Sequence, residues 1–521
     1  MSTVTMNSIR INQLGFYPQS IKTFVAVKAK ADSFLILNQR GEKVFTGPLK
    51  DKGYWAASGE EVKTGDFSSL CEPGLYSVVV DGCEPSLPFT IQSELYKEAA
   101  RDVFNFFPFQ RCQHGDHACL FHPDTGHKTG ALNSPGGWYD AGDYGKYTLN
   151  GAFSAGLMLA LHEILPHAYG QADSSPLLEE IRFELDWIFT MQDKDGGVFH
   201  KITSLEHDDF VLPEKAVKDR FVIGKSTAAA LTFAAVLAQA SRIWADLDPN
   251  FAQEALNAAK RAWDWSVEHP SEYFKNPTGC NTGEYGDHDQ KEEFFWAAAE
   301  LYATTGDKKY REPLQDDLDK VSLRIGENWR QYTDNIGYYS LLASSQVPKE
   351  DKALVKSGLI RLADELLAKI EAVPYEIPVD DFQWGSNSDI LDAAMIFALA
   401  HHYSGEKKYL DATVQTTDYL LGKNALSLSF VTGYGVKSPM NPHHRLFVDR
   451  KLPEPGFVVG GPNGNREDAQ ELRESGVYYP TCFPAKAYVD HVESYASNEI
   501  CLNWNAPAVF VLGYLEEAFK A

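Results

Sequence analysis

From Glu94 onward, apolar residues recur at three- and four-residue steps in stretch after stretch, the spacing that lays one stripe of a helix against a core. Asn150 to Leu165, Pro176 to Gln192, Ser226 to Leu247, Asn250 to Val267, Glu292 to Thr304, Glu312 to Ile325, Lys352 to Ile370, Ser388 to Tyr403 and Leu410 to Leu421 all read as amphipathic helices. Two stretches repeat one another. Ala298 to Tyr310 and Ala398 to Tyr409 each end a helix, turn at a glycine (Gly306, Gly405) and carry a lysine pair and a tyrosine into the next helix. A chain that repeats helix, cap and helix in this way folds as packed αα-hairpins. Its helix-end loops are then the natural carriers of functional side chains.

Residues 9 to 92 have a different texture. Short runs rich in β-branched and aromatic residues (Ile9 to Phe16, Lys22 to Val27, Ser33 to Leu37, Leu75 to Val80, Pro88 to Ile91) are separated by Gly41, Gly47, Gly65, Pro73-Gly74 and Asp81-Gly82. That is the rhythm of a β-sandwich. The expected organisation is therefore a sandwich over residues 1–93 and a mainly helical domain over residues 94–521.

Three acidic residues stand out. Asp140 and Asp143 flank Ala141-Gly142, so one tight turn can aim both carboxylates at a single water, and their repulsion raises one pKa. Glu499 follows Tyr495-Ala496-Ser497-Asn498 more than three hundred residues later. A proton donor opposite a water-activating carboxylate is the apparatus that hydrolyses an acetal. Taken alone, a D-x-x-D pair also reads as a turn or helix cap, and a lone Glu as a solvated surface residue.

The surrounding residues decide between these readings. Gly136-Gly137-Trp138-Tyr139-Asp140-Ala141-Gly142-Asp143 resembles the nucleophilic-water loop of glycoside hydrolase family 9, an inverting β-1,4-glucanase family. Ser429 to Arg445, with Thr432, Gly435, Lys437, Pro442 and His443, fits that family's histidine signature, and Asp490 to Ala506 fits its second signature apart from Cys501. Asp381 to Ser388, Glu293 to Tyr302 and Val459 to Asn463 extend the likeness, which runs from about residue 95 to the C-terminus.

The resemblance implies an (α/α)6 barrel behind an immunoglobulin-like β-sandwich, with Asp143 as general base, Asp140 helping to hold the water and Glu499 as general acid. It also implies that His443 and Arg445 contact sugar, a role that imidazole and guanidinium donors suit. Asp490 is expected to orient the acid-side loop or to grip sugar. Inversion requires a separation of roughly 6.5 to 9.5 Å between the carboxyls of Glu499 and Asp143. The sandwich, which shows no catalytic constellation, is expected to brace the rest.

Sugars stack on aromatic rings, so Trp138 and Tyr495, beside these motifs, are candidate substrate contacts together with Trp384. Trp187, Trp244, Trp263 and Trp265 fall within helical patterns and read as core. Cys112, His114, Asp116, His117, Cys119, His122 and His127 are dense in ligand types, but their spacing is irregular for zinc, and no EF-hand spacing for calcium occurs anywhere. The mechanism requires no cofactor. Gly224-Lys225-Ser226 mimics the end of a phosphate-binding loop but lacks its first glycine, Asp219 standing there.

A formal net charge of −24, from 48 Lys and Arg against 72 Asp and Glu, argues against nucleic acid and anionic membranes as partners. A neutral sugar would be indifferent to that charge and a cationic amino sugar attracted. The first fifteen residues lack the basic start and the apolar stretch of roughly 7 to 15 residues found in a secretory leader. The seven cysteines form no disulfide framework. These features lead to the expectation of a cytoplasmic enzyme, monomer or homodimer, that meets only short β-1,4-linked oligosaccharides and attacks them from one end. Exo-β-D-glucosaminidase and β-glucosidase activities come first on that reading. An endo-β-1,4-glucanase is the alternative, and a catalytically silent sugar-binding protein a third.

Overall fold

The computed structural model describes residues 8–113, 118–127, 129–170, 175–326 and 333–520. Two compact units emerge from the chain's internal packing. One comprises Met1–Asn105, Arg361–His443 and Arg450–Ala521, the other Phe106–Ile360 and His444–Asp449.

The first unit opens with a β-sandwich. Strand Lys43–Trp55 is shared by its two sheets, pairing with Ser33–Asn38 over its first part and with Glu60–Asp66 from Leu49 onward. Ile9–Arg10 and Thr23–Val27 extend the sheet on the Glu60–Asp66 side, while Gly74–Val80, Phe89–Ile91 and Gly15–Phe16 extend the other. Phe16, Phe24, Phe34, Ile36, Phe67, Val78 and Phe89 fill the space between the sheets. The apolar run Ile9 to Phe16 is thus two short strands on different sheets. Lys43–Trp55 and Glu60–Asp66 carry no clear strand signal in the sequence because Lys50, Asp51, Lys52, Glu61 and Lys63 dilute their apolar alternation.

In the same unit the sandwich is locked to helical chain. Glu60 is buried and accepts from Lys486 Nζ at 2.8 Å, Tyr375 OH at 2.8 Å and Arg10 Nη2 at 3.3 Å. Burial raises the Glu60 pKa, but these three donors outweigh it and hold the carboxyl below its ordinary value. Asn12 Nδ2 donates to Asp418 Oδ1 at 2.7 Å, and Gln13 Oε1 accepts from the backbone of Val436 and Lys437 at 2.8 and 3.0 Å. The sandwich therefore fixes the loop that leads to His443, the bracing role expected of it.

Removing one member of such a buried charged cluster leaves the others unpaired. Lys486→Met is expected to lower unfolding free energy by about 3 kcal/mol at neutral pH, measured by denaturant titration. Because the folded pKa of Glu60 is depressed, its contribution is present above the unfolded value of about 4.3 and is lost as pH falls through the folded one. The gap between the two proteins should accordingly narrow in acid.

Helices Ser386–Ser404 and Leu502–Ala518 are apolar nearly all round and pack on each other, with Lys407–Leu420 and Lys97–Phe104 against them. In the second unit, Thr148–Ile164, Thr227–Ile243, Lys291–Thr305 and Asp334–Ala343 pack together, and Pro176–Thr190 and Pro249–Glu268 lie against the first two. Arg242 joins three of these helices through Glu163 at 2.6 Å and Glu300 at 2.6 Å, while Trp296 and Ser340 also donate to Glu300. The Glu293 to Tyr302 motif thus holds helices together. Both repeated hairpins cap as expected, with Gly306 and Gly405 left-handed at φ of 67° and 74°.

Two expectations need correction. Glu312 to Ile325 forms only a short 3-10 turn, Glu312–Leu314, and helix Gln315–Lys320, and the residues after Lys320 in that stretch carry no helix. The second unit also contains a five-stranded sheet not foreseen, ordered Ala131–Asn133, Ala118–Phe121, Phe221–Lys225, Phe199–Thr203, Lys146–Tyr147. Gly224-Lys225-Ser226 closes one of its strands and caps the next helix, Ser226 Oγ accepting from Ala229 N at 3.1 Å. Among the described residues, no helix is long and apolar enough to cross a membrane.

Candidate active site

In the second unit the chain enters the acidic turn through Gly136 and Gly137, both left-handed at φ of 77° and 79°. A Cβ on Gly137 would lie 2.5 Å from the Trp187 ring, so glycine is required there. Gln110, fully buried, clamps the turn itself. Its Nε2 donates to Tyr139 O at 3.1 Å and Ala141 O at 2.9 Å, and its Oε1 meets His444 Nε2 at 2.9 Å. The turn closes where Asp140 N donates to Gly145 O at 2.9 Å.

The two carboxylates of this turn are both buried, at 2% and 8% exposure, yet their surroundings differ. Asp140 accepts from Asn150 Nδ2 at 2.7 Å and from the Tyr285 hydroxyl. Burial, with the Asp143 charge beside it, nevertheless pushes Asp140 up to about 7. Burial acts on Asp143 too, but the His207 ring, the Arg445 guanidinium and the Gly145 N–H outweigh it and hold that carboxyl well below the usual range. His207 Nδ1 stands 3.2 Å from Asp143 Oδ2. Asp140 is therefore the raised member of the pair, and burial raises it more than repulsion does.

Tyr285 is one of the few non-glycine residues with positive φ, at 53°, and its ring lies 4.3 Å from that of Tyr147. The loop carrying Tyr285 is tethered by the buried Lys201, whose Nζ donates to Asn276 Oδ1 at 2.6 Å and Gly283 O at 2.7 Å. Lys201 also places positive charge near Asp140. Gln110, Asn150, Lys201, His207 and Tyr285 were not singled out by the sequence. They sit in loops or buried segments with no motif of their own, and only a lone histidine between carboxylates (His207) or an aromatic in a Gly-rich loop (Tyr285) gave any signal.

Arg445 is 6% exposed and gives Nε to Asp208 O at 2.8 Å and Nη1 to Gly142 O at 3.0 Å. It secures the acidic turn through Gly142. Trp138, expected as a stacking surface, is instead core. It is 1% exposed, its ring lies 4.8 Å from Phe107 and its Nε1 donates to Glu180 at 2.8 Å. Trp187, Trp244 and Trp265 are buried as expected, and Trp263 packs edge-on against Phe294 and Tyr310.

The first unit holds the remaining candidates. Glu499 ends the short helix Tyr495–Asn498 in extended conformation, and it bridges in parallel to His443. His443 Nδ1 is 2.5 Å from Val492 O, and its backbone N–H donates to Asn498 O at 3.0 Å. Asp490 accepts from the backbone N–H groups of Met440 at 2.9 Å and Asn441 at 2.7 Å. Of its two expected roles, orienting the loop is the one its contacts express. Trp384, 44% exposed, lies 5.3 Å from the Tyr495 ring, which meets His443 edge-on at 6.1 Å. These rings form an accessible aromatic surface beside Glu499.

Among the described residues, no group of three or more His, Cys, Asp or Glu is arranged to hold a metal ion. His122 pairs with Asp124 at 2.8 Å, and His127 pairs with Asp193 at 2.8 Å and stacks on Phe121. Cys112 and Cys119 are not joined in a disulfide, and His114, Asp116 and His117 lie outside the described residues. The described part of that segment does not fit a zinc site.

Comparison with known proteins agrees with this geometry: residues 96–512 match Glycosyl hydrolase family 9, and residues 4–85 match the Cellulase N-terminal ig-like domain. The chain belongs to glycosyl hydrolase family 9. It is 36% identical to the xyloglucan-specific endo-beta-1,4-glucanase BoGH9A of Bacteroides ovatus over 99% of this chain and 94% of that one. It is 33% identical to a cellodextrinase of Butyrivibrio fibrisolvens over 98% of this chain and all of that one (100%). A solved Bacteroides ovatus GH9 structure superposes with a TM-score of 0.88 at 34% identity, covering 98% of this chain and 99% of that one. Membership makes the protein an inverting glycoside hydrolase with a helical catalytic domain behind an immunoglobulin-like sandwich, and the family's reaction needs no cofactor.

Proposed function

We propose that the protein hydrolyses β-1,4 bonds in short glucan oligosaccharides, with Asp143 taking a proton from the attacking water and Glu499 protonating the departing oxygen. Water adds to the anomeric carbon from the face opposite the leaving group, so a β-bond gives an α-product. The observation that carries this reading is the split environment of the acidic turn. Asp143 is held ionised by His207 and Arg445, while Asp140 is poised near neutrality beside it. A pair separated in this way offers one permanent anion to receive the proton and a second group to hold the water. The proposal includes the carboxyl separation of roughly 6.5 to 9.5 Å that inversion requires, sugar stacking on Trp384 and Tyr495, and a cytoplasmic setting that supplies only soluble substrates. The endoglucanase and cellodextrinase names of the relatives favour glucose-based chains.

A second reading, exo release of glucosamine, draws on one observation. The loop beside Asp143 reads Glu206-His207-Asp208-Asp209, three carboxylates where a sugar ammonium would be welcomed. Incubation with cello-, chito- and chitosan-oligosaccharides, with products resolved over time, separates the readings. Internal cuts in cello-oligosaccharides support glucanase action, glucosamine released singly supports the second reading, and no release from any of them defeats both.

Tyr285 provides a pH test. Its hydroxyl lowers the Asp140 pKa, so Tyr285→Phe is expected to raise that value further. The acid limb of kcat should move upward by about one pH unit, and an unmoved limb would remove Asp140 from the rate-controlling titration.

A further inference from the structure

Glu499 stands at the C-terminal end of a helix only four residues long, Tyr495–Asn498. A single helical turn does not hold itself together in water, so the direction of the carboxyl it carries depends on what grips the turn from outside. Its C-terminal end is gripped by backbone. Gly461 N donates to Ser497 O at 2.9 Å, Gly460 N to Glu499 O at 2.9 Å and His443 N to Asn498 O at 3.0 Å. The N-terminal end is anchored differently. Ser494 at its N-cap position offers no side-chain bond to the helix N–H groups, and its hydroxyl donates instead to Asp468 Oδ2 at 2.8 Å. The same carboxylate oxygen accepts from Ala496 N at 3.0 Å, while Asp468 Oδ1 accepts from Tyr479 OH at 2.6 Å. Asn463 Nδ2 adds a bond to Ala496 O at 3.2 Å.

Asp468 itself immediately precedes helix Ala469–Glu474, where an aspartate ordinarily caps its own helix, yet it makes no side-chain cap there. Both of its oxygens turn elsewhere. Asp468, Ser494, Ala496 and Ser497 are all 0% exposed, and a buried carboxylate is costly unless donors surround it; three do. From this geometry we propose that Asp468 is a positioning residue for the acid, capping the helix Tyr495–Asn498 from a distant point in the chain so that Glu499 faces the departing oxygen. The inference rests on Glu499 being the acid. Proton transfer tolerates little error in the position of the donor, and a turn held at one end alone can tilt.

The test compares kcat on an oligosaccharide that the wild-type enzyme cleaves with kcat on a dinitrophenyl glycoside of the same sugar, which leaves without a proton. Asp468→Ala is expected to lose ~10- to 100-fold on the first and less than about threefold on the second, with KM little changed. Asp468→Asn, which keeps an oxygen for Ser494 and Ala496, should recover most of that loss. A merely structural role lowers both rates together, because it removes active molecules whatever the leaving group. Ser494→Ala deletes one donor and leaves Asp468 in place; it should show the same selectivity in smaller measure, about threefold, and it carries the test if thermal unfolding shows that Asp468→Ala does not fold. Equal losses on the two substrates, no loss on either, or an Asn variant no better than a folded Ala variant overturns the inference. If Glu499→Gln itself loses equally on both substrates, the acid assignment fails, and that failure is distinct from a result in which only the Asp468 and Ser494 variants lack selectivity.

Discussion

Asp143→Asn is expected to reduce kcat by about 10,000-fold on every glycoside, with the fold intact. The amide is nearly isosteric and keeps an oxygen toward His207, so packing around the buried turn changes little. It cannot accept a proton at neutral pH, and water left without a base attacks the anomeric carbon slowly whatever the leaving group. The loss should therefore be the same for an oligosaccharide and for an aryl glycoside carrying an acidic phenol. Steady-state kinetics on the two substrates, with circular dichroism as the folding control, checks this. A loss smaller than about tenfold would show that the proton goes elsewhere.

Glu499→Gln is expected to discriminate between those same substrates. An alkoxide leaves only with a proton, so kcat on natural oligosaccharides should fall ~100- to 10,000-fold, whereas a dinitrophenyl glycoside, whose leaving group is stable as an anion, should lose far less. The short helix Tyr495–Asn498 and the His443 bridge that place Glu499 are made by backbone groups, so the substitution leaves them in place. Equal losses on both substrates would take Glu499 out of the acid role.

Much of this was legible in the sequence, and the rest was hidden for identifiable reasons. The turn at Asp140 and Asp143 could be read because glycines at Gly136 and Gly137 and two acids at close spacing leave few local conformations. Amphipathic helices such as Pro249–Glu268 and Pro176–Thr190 announced themselves through one apolar stripe. Leu502–Ala518 and Asp334–Ala343 did not, since residues buried on every side leave no stripe. The five-stranded sheet was missed because its strands have two to five residues each, too short for alternation to register.

Within the site, proximity in sequence was the limit. Asp140, Asp143, His443 and Glu499 carry motifs, but Tyr285 and Asn150, which grip Asp140, and His207, which meets Asp143, are defined only by the fold. Trp138 shows the converse error. Adjacency to the acidic turn suggested a sugar contact, yet nothing in the sequence says which way a ring points, and this one points into the core against Phe107. Trp384, outside both acidic motifs, is the exposed one.

With Asp143 as base and Glu499 as acid, water must attack from the face opposite the departing sugar, and proton NMR of the first product formed by wild-type enzyme tests that directly. Spectra taken before mutarotation should show the α-anomeric signal growing first, with β appearing only as the sugar equilibrates. A β-anomer present from the earliest spectrum would contradict both assignments.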